Sequence, residues 1–347
     1  MIRKVEPLPS SPNRCVKVLF LPLYSIQGAS SRYRTYQYAE LLPIHGFSVK
    51  IDHPLTYSIS SKIQYILRLL SHLPWADVVV IQKKLFRHPL FSLIRRINAS
   101  IVYDFDDAIY VDATIKQLFH HVLRTSRHVI TGNHHLEQYA KNFSDRVTTI
   151  PTPVDIKTFN PVKALKSSND TITIGWIGAG GNQIYLRQIE AAFETIYQYR
   201  TGHIQLKVIS DRPFSFRACQ LPVINVPWSL LTEVDALRTV DIGLMPLADD
   251  EFTRGKCSFK ALQYMSLCIP PVVSPVGMNC EVIQHGENGF CAETIQDWIN
   301  ILSLLVRHRE LRTKIGEKAR KTVEQRYCYE VTTPLLAEVL RNVAFCK

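Results

Sequence analysis

The order of apolar patterns along this chain constrains its fold more than any single motif does. Short runs rich in Val, Ile, Phe and Tyr alternate with longer segments whose apolar residues recur at helical spacing. The predicted strands of the first half are 16–23, 47–52, 76–82, 101–105, 128–131 and 147–150, and those of the second half are 172–177, 206–210, 223–226, 242–245 and 271–274. This strict alternation predicts an α/β fold with parallel sheets wrapped by helices.

The predicted helices lie between these strands. Ser30 and Ser31 are N-cap residue types and predict a helix that runs to about Leu42. Ser60 opens a second helix, Pro89 lies early in a third, and the apolar pattern of 118–123 marks a fourth. In the second half, a helix is predicted over 185–199.

A break in the alternation divides the chain near residue 165. Pro151, Pro153 and Pro161 are followed by the polar run 163–170, and the strand pattern begins afresh at Ile172. We therefore expect two Rossmann-like domains, 1–165 and 166–326, with a cleft between their sheets. The length of 347 residues and the apolar content of 46% suit two such domains.

Several features favour a cytoplasmic protein. The first apolar run is short and is interrupted by Lys17 and Pro22, so no signal peptide is predicted. No apolar stretch is long enough to span a bilayer. The eight cysteines lack Cys-x-x-Cys spacing, which favours reduced thiols over disulfide bonds or a zinc site.

The net charge of +11 indicates an anionic partner, and nucleic acid, an acidic membrane surface and phosphorylated substrates all satisfy it. Between Ser58 and Ser100, seven Lys and Arg residues stand against Asp77 alone, in a segment that is also apolar. This segment suits an anionic membrane surface, and ordinary helix packing explains it about as well. Nucleic acid is the least favoured partner because no recognised binding module is present.

Three loops that follow predicted strands are candidate binding sites, because ligands of parallel sheets bind beyond the carboxyl ends of the strands. In the first, Gly28 and Arg32 stand at a helix start that suits an anion, with Arg34 adding charge. The alternative is an ordinary turn with two solvated arginines. In the second, Asp104, Asp106 and Asp107 lie at the end of a strand of the buried type. They are expected either to react or to bind a ligand or metal, and the alternative is that they cap the next helix or pair with arginines.

The third loop leads from the strand 242–245 into a helix predicted from about Cys257 to Ser266. At helical spacing, Lys256, Lys260 and Gln263 would share one face of that helix. Lysines and free N–H groups at a helix N-terminus suit a diphosphate, and the alternative is a solvated lysine face.

In this region the chain resembles the retaining glycosyltransferases of family 4, which have the GT-B architecture of two facing Rossmann-like domains. The segments that carry the resemblance, in order and spacing, are Asp241–Pro246, Phe259–Met265, Pro270–Gly277, Glu281–Ile283 and Gly286–Phe290. Ser30–Gln37, Ile150–Pro161 and Ile174–Gly178 extend the likeness along the chain. The resemblance implies an acceptor-binding first domain, a nucleotide-sugar-binding second domain and a final helix in 327–347 that crosses back to the first domain.

The chain departs from the family pattern at two places. Gly255 and Gln263 stand where the resemblance expects the two glutamates of a Glu-x7-Glu motif, and residues 180–183 replace an expected Arg and Lys pair. We expect Arg254, Lys256 and Lys260 to supply the missing positive charge. Gln263 would then bind the donor ribose and Trp228 would lie near the nucleobase. An ordinary helix glutamine and a core tryptophan are the alternatives.

The resemblance implies that a nucleotide-sugar donor is the co-substrate, bound near Gly178 and Glu281 as well, with no metal or other cofactor. Configuration at the sugar would be retained, and Lys256 would stabilise the leaving diphosphate. Asp106 and Asp107 are the candidates to orient a hydroxyl acceptor or to stabilise the cationic sugar, and the acceptor is a glycan, a glycolipid or a specialised metabolite. A nucleotide-sugar epimerase and a catalytically silent relative of the same fold are the alternatives.

Overall fold

The computed structural model describes residues 14–53, 59–161, 171–198 and 203–345, and contains two six-stranded parallel sheets. The first sheet has the order β2-β1-β3-β4-β5-β6, with β1 Val16–Pro22, β2 Phe47–Ile51, β3 Val78–Gln82, β4 Ile101–Phe105, β5 His128–Thr131 and β6 Val147–Thr149. The second has the order β12-β11-β10-β7-β8-β9, with β7 Ile172–Ile177, β8 Ile204–Ser210, β9 Val223–Pro227, β10 Ile242–Met245, β11 Pro271–Val273 and β12 Phe290–Cys291.

Helices connect these strands, as the alternation predicts. Those of the first half are α1 Ala29–Ser31, α2 Gln37–Leu41, α3 Ile59–His72, α4 His88–Ile97, α5 Lys116–Thr125 and α6 His134–Lys141. Those of the second half are α7 Gln183–Arg187, α8 Glu190–Gln198, α9 Glu233–Arg238, α10 Glu251–Arg254, α11 Phe259–Ser266, α12 Asn279–Val282, α13 Ile295–Arg307, α14 Arg309–Arg326 and α15 Tyr329–Phe345.

The α/β fold and the strands predicted from the sequence are confirmed, with ends that shift by one or two residues, while the short strand β12 was missed. The first helix differs from its prediction. It begins at Ala29 after an N-cap at Gly28, so Ser30 and Ser31 do not cap it, and a π-helical turn, Arg32–Tyr36, separates α1 from α2. The hydroxyl of Ser31 instead donates to Gln82 Oε1 over 2.7 Å, which fastens the helix to the end of β3.

Contact density divides the chain into two compact units. The larger unit comprises Phe105–Arg124 and Ile130–Leu335, and the smaller comprises the described parts of Met1–Asp104, Thr125–Val129 and Leu336–Lys347. The first sheet contributes to both units. The predicted boundary near residue 165 and the polar run 163–170 lie outside the described residues, and the predicted domain limits remain a prediction.

The core of the larger unit lies on both faces of the second sheet. Alternate residues of a strand point to opposite faces, so Ile174 and Trp176 of β7 enter one hydrophobic cluster and Ile177 enters the other. Helices α8 and α13 cover the first face, while α11 and α14 cover the second. This packing fixes α11 beside the carboxyl ends of β7 and β10.

Candidate functional site

The turn that leads into α11 differs from its prediction. Ser258, the N-cap residue, has a φ of 52°, so the chain turns sharply there and α11 begins at Phe259 rather than at Cys257. Lys256 therefore lies before the helix. The predicted helix face shared by Lys256, Lys260 and Gln263 is wrong, because only the last two are in α11.

Lys260 lies against the end of β7. Its Nζ is 5.7 Å from the centroid of the Trp176 ring. A Cβ atom at Gly178 would come within 2.7 Å of Lys260 Cε, so the glycine leaves the room that the lysine stem occupies. The pKa of Lys260 is lowered to about 8, mainly by burial and to a smaller extent by the charge of Lys256, while Asp107 opposes both effects.

The predicted cation Arg254 has a carboxylate partner. Its Nε and Nη2 donate to the two carboxylate oxygens of Asp249 over 2.7 and 3.0 Å, and Asp249 raises its pKa. Lys256 has a different environment, with its Nζ 4.3 Å from the centroid of the Phe252 ring. Among the described residues, no carboxylate lies within ion-pair distance of Lys260, so Arg254 and Lys260 differ in how much of their charge is already neutralised.

Gln263 lies three residues after Lys260 on α11 and is 4% exposed. The structure gives its amide no hydrogen-bond partner among the described residues. The amide atoms of Gln263 are not among the fully enclosed polar atoms that lack a partner in the described part of the chain, so they remain accessible to water or to a bound molecule. This environment agrees with its predicted role toward a polar ligand.

Two further candidate residues, Trp228 and Glu281, lie outside α11. Trp228 follows β9, and its indole N–H donates to Glu233 Oε2 over 2.8 Å. Glu281, in α12, is 3.8 Å from His134 Nε2, and burial raises its pKa. The ring of Trp228 packs partly on the cluster beneath α11, which agrees with its predicted core contact and leaves its role toward a nucleobase a prediction.

The loop that carries Asp106 and Asp107 belongs to the same compact unit as α11 and packs directly on the turn before it. Cys257 Sγ donates to Asp106 O over 3.2 Å. A Cβ atom at Gly255 would lie 2.6 Å from Ala108 Cβ and 2.7 Å from Ala108 N. A side chain at position 255, where the resemblance expects a glutamate, is therefore excluded by this loop.

Three further polar contacts, from Tyr110 and from Asn133 and His135 after β5, reach α10 or the turn before α11, and the sequence did not single them out. Tyr110 Oη donates to Glu251 Oε1 over 2.8 Å, and His135 Nε2 is 3.1 Å from the same oxygen. Asn133 caps α6 by accepting from Leu136 N, while its Nδ2 donates to Lys256 O over 3.1 Å. The N-cap residue type of Asn133 before an apolar-periodic run was the available signal.

The loop after β1 is built differently from its prediction. Gly28 N–H donates to Ser25 O, and Arg32 folds back so that its Nη1 donates to Ile26 O over 3.2 Å and Gln27 O over 3.3 Å. Arg34 pairs with Asp104, with Nε 2.8 Å from Oδ2 and Nη2 2.5 Å from Oδ1. Both arginines are buried, so the interpretation of two solvated arginines is wrong.

The described part of the chain contains no group of three or more His, Cys, Asp or Glu residues arranged to hold a metal ion. The seven described cysteines are free thiols. Among the described residues, no helix is both long enough and apolar enough to cross a membrane.

The comparisons with known proteins agree with this fold. Residues 255–322 match the family model described as glycosyl transferases group 1. Sucrose-phosphate synthase from Thermosynechococcus elongatus superimposes with a TM-score of 0.74 at 13% identity, covering 94% of this chain and 99% of that chain. A glycosyltransferase from Rickettsia africae gives 0.73 at 14% identity, covering 96% and 100%.

The Anabaena protein HepE, solved in complex with UDP and glucose, gives a TM-score of 0.70 at 14% identity, covering 94% of this chain and 100% of that chain. Comparison with the sequences of curated proteins found no match. The chain thus has the fold of the GT-B glycosyltransferases. The segment that matches the family model contains Gly255, Lys256, Lys260 and Gln263.

Proposed function

We propose that this protein is a glycosyltransferase that moves a sugar from a nucleotide-diphosphate donor to a hydroxyl acceptor with retention of configuration. The observation that carries the proposal is the pair of residues Lys260 and Gln263 on α11. Among the described residues, a half-buried cation with no ion pair and an amide with no hydrogen-bond partner lie in the segment that matches the family model.

Glycosyl transfer releases a nucleoside diphosphate, and its transition state carries positive character on the sugar. An enzyme gains most by stabilising the charge that develops on the leaving diphosphate. Lys260 and Lys256 are close enough for each to influence the other electrostatically, and a diphosphate between them would relieve the repulsion of their charges. Because Arg254 is ion-paired with Asp249, it has one of two roles. It stabilises the turn before α11, or it attracts the diphosphate more weakly than the lysines do.

The acceptor side of the reaction is assigned to Asp106 and Asp107. Asp107 influences the pKa of Lys260, so a sugar held near Lys260 would lie within reach of the field of this carboxylate. Retention is expected if the leaving phosphate itself takes the proton of the acceptor hydroxyl, with the aspartates orienting that hydroxyl and stabilising the cationic sugar.

Thermal-shift screening identifies the donor, since a ligand that binds the native state raises the melting temperature. The panel is UDP, GDP, ADP, CMP and dTDP sugars, and the UDP complex of HepE makes UDP the first choice. Lys256→Ala is expected to abolish transfer while circular dichroism and the melting temperature stay as in the wild type. Wild-type turnover in that variant would refute the role of Lys256.

Two alternatives have distinct outcomes in the same assays. A nucleotide-sugar epimerase converts its donor without an acceptor. A catalytically silent relative binds the nucleotide sugar and releases no diphosphate with any acceptor. Product analysis by NMR of the anomeric proton then decides between retention and inversion.

An anionic membrane surface is the proposed partner on the acceptor side. Helices α3 and α4 contain no acidic residue. Their right-handed crossovers advance in the same direction along the first sheet, so both lie on one face of it. This basic–apolar face comprises Lys62, Ile63, Leu67, Leu93, Arg96 and Ile97, and its four apolar side chains are 38–63% exposed.

Vesicle flotation tests the basic–apolar face. The wild type is expected to float with phosphatidylcholine vesicles that contain phosphatidylglycerol and not with phosphatidylcholine alone. The double variant Leu67→Ser with Leu93→Ser should lose flotation, whereas Leu304→Ser, at an exposed position on α13, should keep it. Absence of binding at low salt in the wild type would exclude this surface as a membrane contact.

A further inference from the structure

A second cluster of polar groups lies in the smaller unit, where β2 and β3 end. Asp52 follows β2 and Lys84 follows β3, while Tyr65 and Arg68 reach the same place from α3. We call Lys84, Tyr65, Asp52, Arg68 and His53 the Lys84 cluster. The function proposed above has not used any of them.

Lys84 is enclosed by aromatic rings. Its Nζ donates to Tyr65 Oη over 2.7 Å and lies 4.1 Å from the centroid of the Tyr65 ring and 5.0 Å from that of Phe86. The pKa of Lys84 is lowered to about 8, mainly by burial, with Asp52 opposing this effect and Arg68 adding to it. The ammonium group has three N–H donors, and Tyr65 accepts one of them.

The nearby carboxylate is already used by another cation. Asp52 is fully buried, and its Oδ1 accepts from Arg68 Nε over 2.5 Å, while Arg68 Nη2 donates to His53 O over 2.8 Å. Among the described residues, no carboxylate lies within ion-pair distance of Lys84. The cluster therefore holds one more positive charge than its carboxylate neutralises, and part of that charge is removed from water.

The second oxygen of Asp52 is an independent observation. Asp52 Oδ2 is buried and has no hydrogen-bond partner among the described residues, and His72 Nδ1, which is also buried without a partner there, lies 3.9 Å from it. Unpaired buried oxygens are rare in native proteins and call for a donor. A hydroxyl group carried by a ligand would supply one, as a bound water would.

The topology also favours a ligand at this place. In the order β2-β1-β3, the connection from β1 runs one way along the sheet and the later connections run the other way. Ligands of open α/β sheets bind outside the carboxyl ends of strands at such a switch point. Lys84 is the second residue after β3. Lys83, the residue before it, has a φ of 56°, which turns the chain sharply.

We propose that the Lys84 cluster binds a phosphate group carried by a hydroxylated acceptor, with Lys84 donating to the phosphate oxygens and Asp52 accepting from an acceptor hydroxyl. This assignment rests on the proposed glycosyl transfer and names the chemical class of its acceptor, a phosphorylated polyol or sugar. The partial charge balance and the aromatic walls favour a small phosphate monoester or diester over an extended polyanion.

Crossed binding measurements separate this proposal from the donor site. The probes are inorganic phosphate and UDP, each titrated calorimetrically into the wild type, Lys84→Met, Lys260→Met and Lys314→Met. We expect Lys84→Met to weaken phosphate binding about 10-fold or more and to leave UDP binding unchanged. Lys260→Met should do the reverse, and Lys314→Met, at an exposed position on α14, should change neither.

Each outcome has a defined meaning. Phosphate binding that is unchanged in Lys84→Met, or absent from the wild type, would overturn the acceptor assignment while leaving the donor site intact. Failure of UDP and of every other donor to bind would instead overturn the proposed function. If Lys84→Met does not fold, Lys84→Arg keeps the charge, and it should retain phosphate binding that Lys84→Gln loses.

The same phosphate could belong to a soluble acceptor or to a lipid headgroup, and a vesicle arm distinguishes them. Flotation is measured with phosphatidylcholine vesicles that contain phosphatidic acid, on protein that carries Leu67→Ser and Leu93→Ser so that the basic–apolar face does not contribute. Flotation that is lost in Lys84→Met would assign the phosphate to a lipid-linked acceptor, and flotation that is retained, with loss of inorganic phosphate binding, would assign it to a soluble one. If the protein with these two changes does not float at all, the phosphate is likewise assigned to a soluble acceptor. Wild-type behaviour of Lys84→Met in both arms would contradict the proposal.

Discussion

The cations of the loop after β1 and those around α11 look alike in the sequence and differ in the structure. Arg34 is buried and makes a bidentate ion pair with the equally buried Asp104, and Arg32 is buried against loop carbonyl groups. Lys260 is half-buried without an ion pair among the described residues. A buried cation whose donors are used by the protein stabilises the fold, whereas one left without a counter-charge is suited to binding an anion.

The largest expected effect on stability comes from removing Arg34, a buried cation whose donors are used by the protein. Arg34→Met leaves the buried carboxylate of Asp104 without its partner, so the free energy of unfolding should fall by about 3–5 kcal/mol. Urea denaturation measures this change. In the double variant Arg34→Met with Asp104→Leu, most of the loss should be recovered, because no unpaired charge remains. An equally large loss in the double variant would show that the ion pair is not the cause.

Lys260 should respond in the opposite way. Lys260→Met removes a desolvated charge and keeps the length of the side chain, so the melting temperature should be equal to or above that of the wild type. Transfer should fall by about 10²–10³-fold, the range found when one group that stabilises a developing anion is removed. Initial rates of diphosphate release measure it. A variant that loses stability and activity together would place Lys260 with the structural cations.

The sequence predicted the sheets better than it predicted the site. Runs such as 172–177 and 101–105 are mostly apolar, with Thr173 and Asp104 as their polar members, because parallel strands are covered on both faces. That pattern is visible without tertiary information. The order and spacing of Asp241–Pro246 and Phe259–Met265 also placed the loop before α11 in the candidate site.

Side-chain pairing could not be predicted, because it depends on the folded geometry whether the two partners are far apart or near each other in the chain. Asp104 pairs with Arg34 across 70 positions, while Asp249 neutralises Arg254 from five positions away. The start of α11 was misplaced because Ser258 adopts a left-handed conformation, which helical periodicity does not report. The absence of a glutamate at position 255 has its cause in Ala108, which the sequence does not show to be adjacent.

Gly255→Glu restores the residue that the family resemblance expects at this position. A Cβ atom there would lie 2.6 Å from Ala108 Cβ, so the loop must move. Overpacking of this kind costs about 1–3 kcal/mol, and transfer should decrease, not increase. Thermal denaturation and the transfer rate measure the two effects. Gly181→Glu is the matched control, because a Cβ atom at Gly181 would have no described atom within 4 Å, and it should leave stability nearly unchanged.

An increase in transfer by Gly255→Glu would mean that the loop yields and that a carboxylate at this position still serves the reaction. The site would then follow the family pattern with one carboxylate missing. A decrease would mean that the Asp106–Ala108 loop and Gly255 are adapted to each other. Asp107 would then be the carboxylate whose charge acts on Lys260.

The smallest expected effect concerns pH. The pKa of Lys260 is lowered to about 8, so its ammonium form dominates below that pH and is lost as the pH rises through it. UDP binding to the free protein should therefore weaken above about pH 8, by up to about 10-fold for each further pH unit. Titration calorimetry across the alkaline range measures this profile.

Lys260→Arg provides the matched control for that profile, because a guanidinium stays charged throughout the range. Its UDP binding should not change with pH near 8, whereas Lys84→Met should keep the wild-type profile, although Lys84 also has its pKa lowered to about 8. A profile that flattens in Lys84→Met and persists in Lys260→Arg would exchange the roles of the two lysines. The diphosphate would then belong to the first sheet, and the contrast between the two regions would have to be reversed.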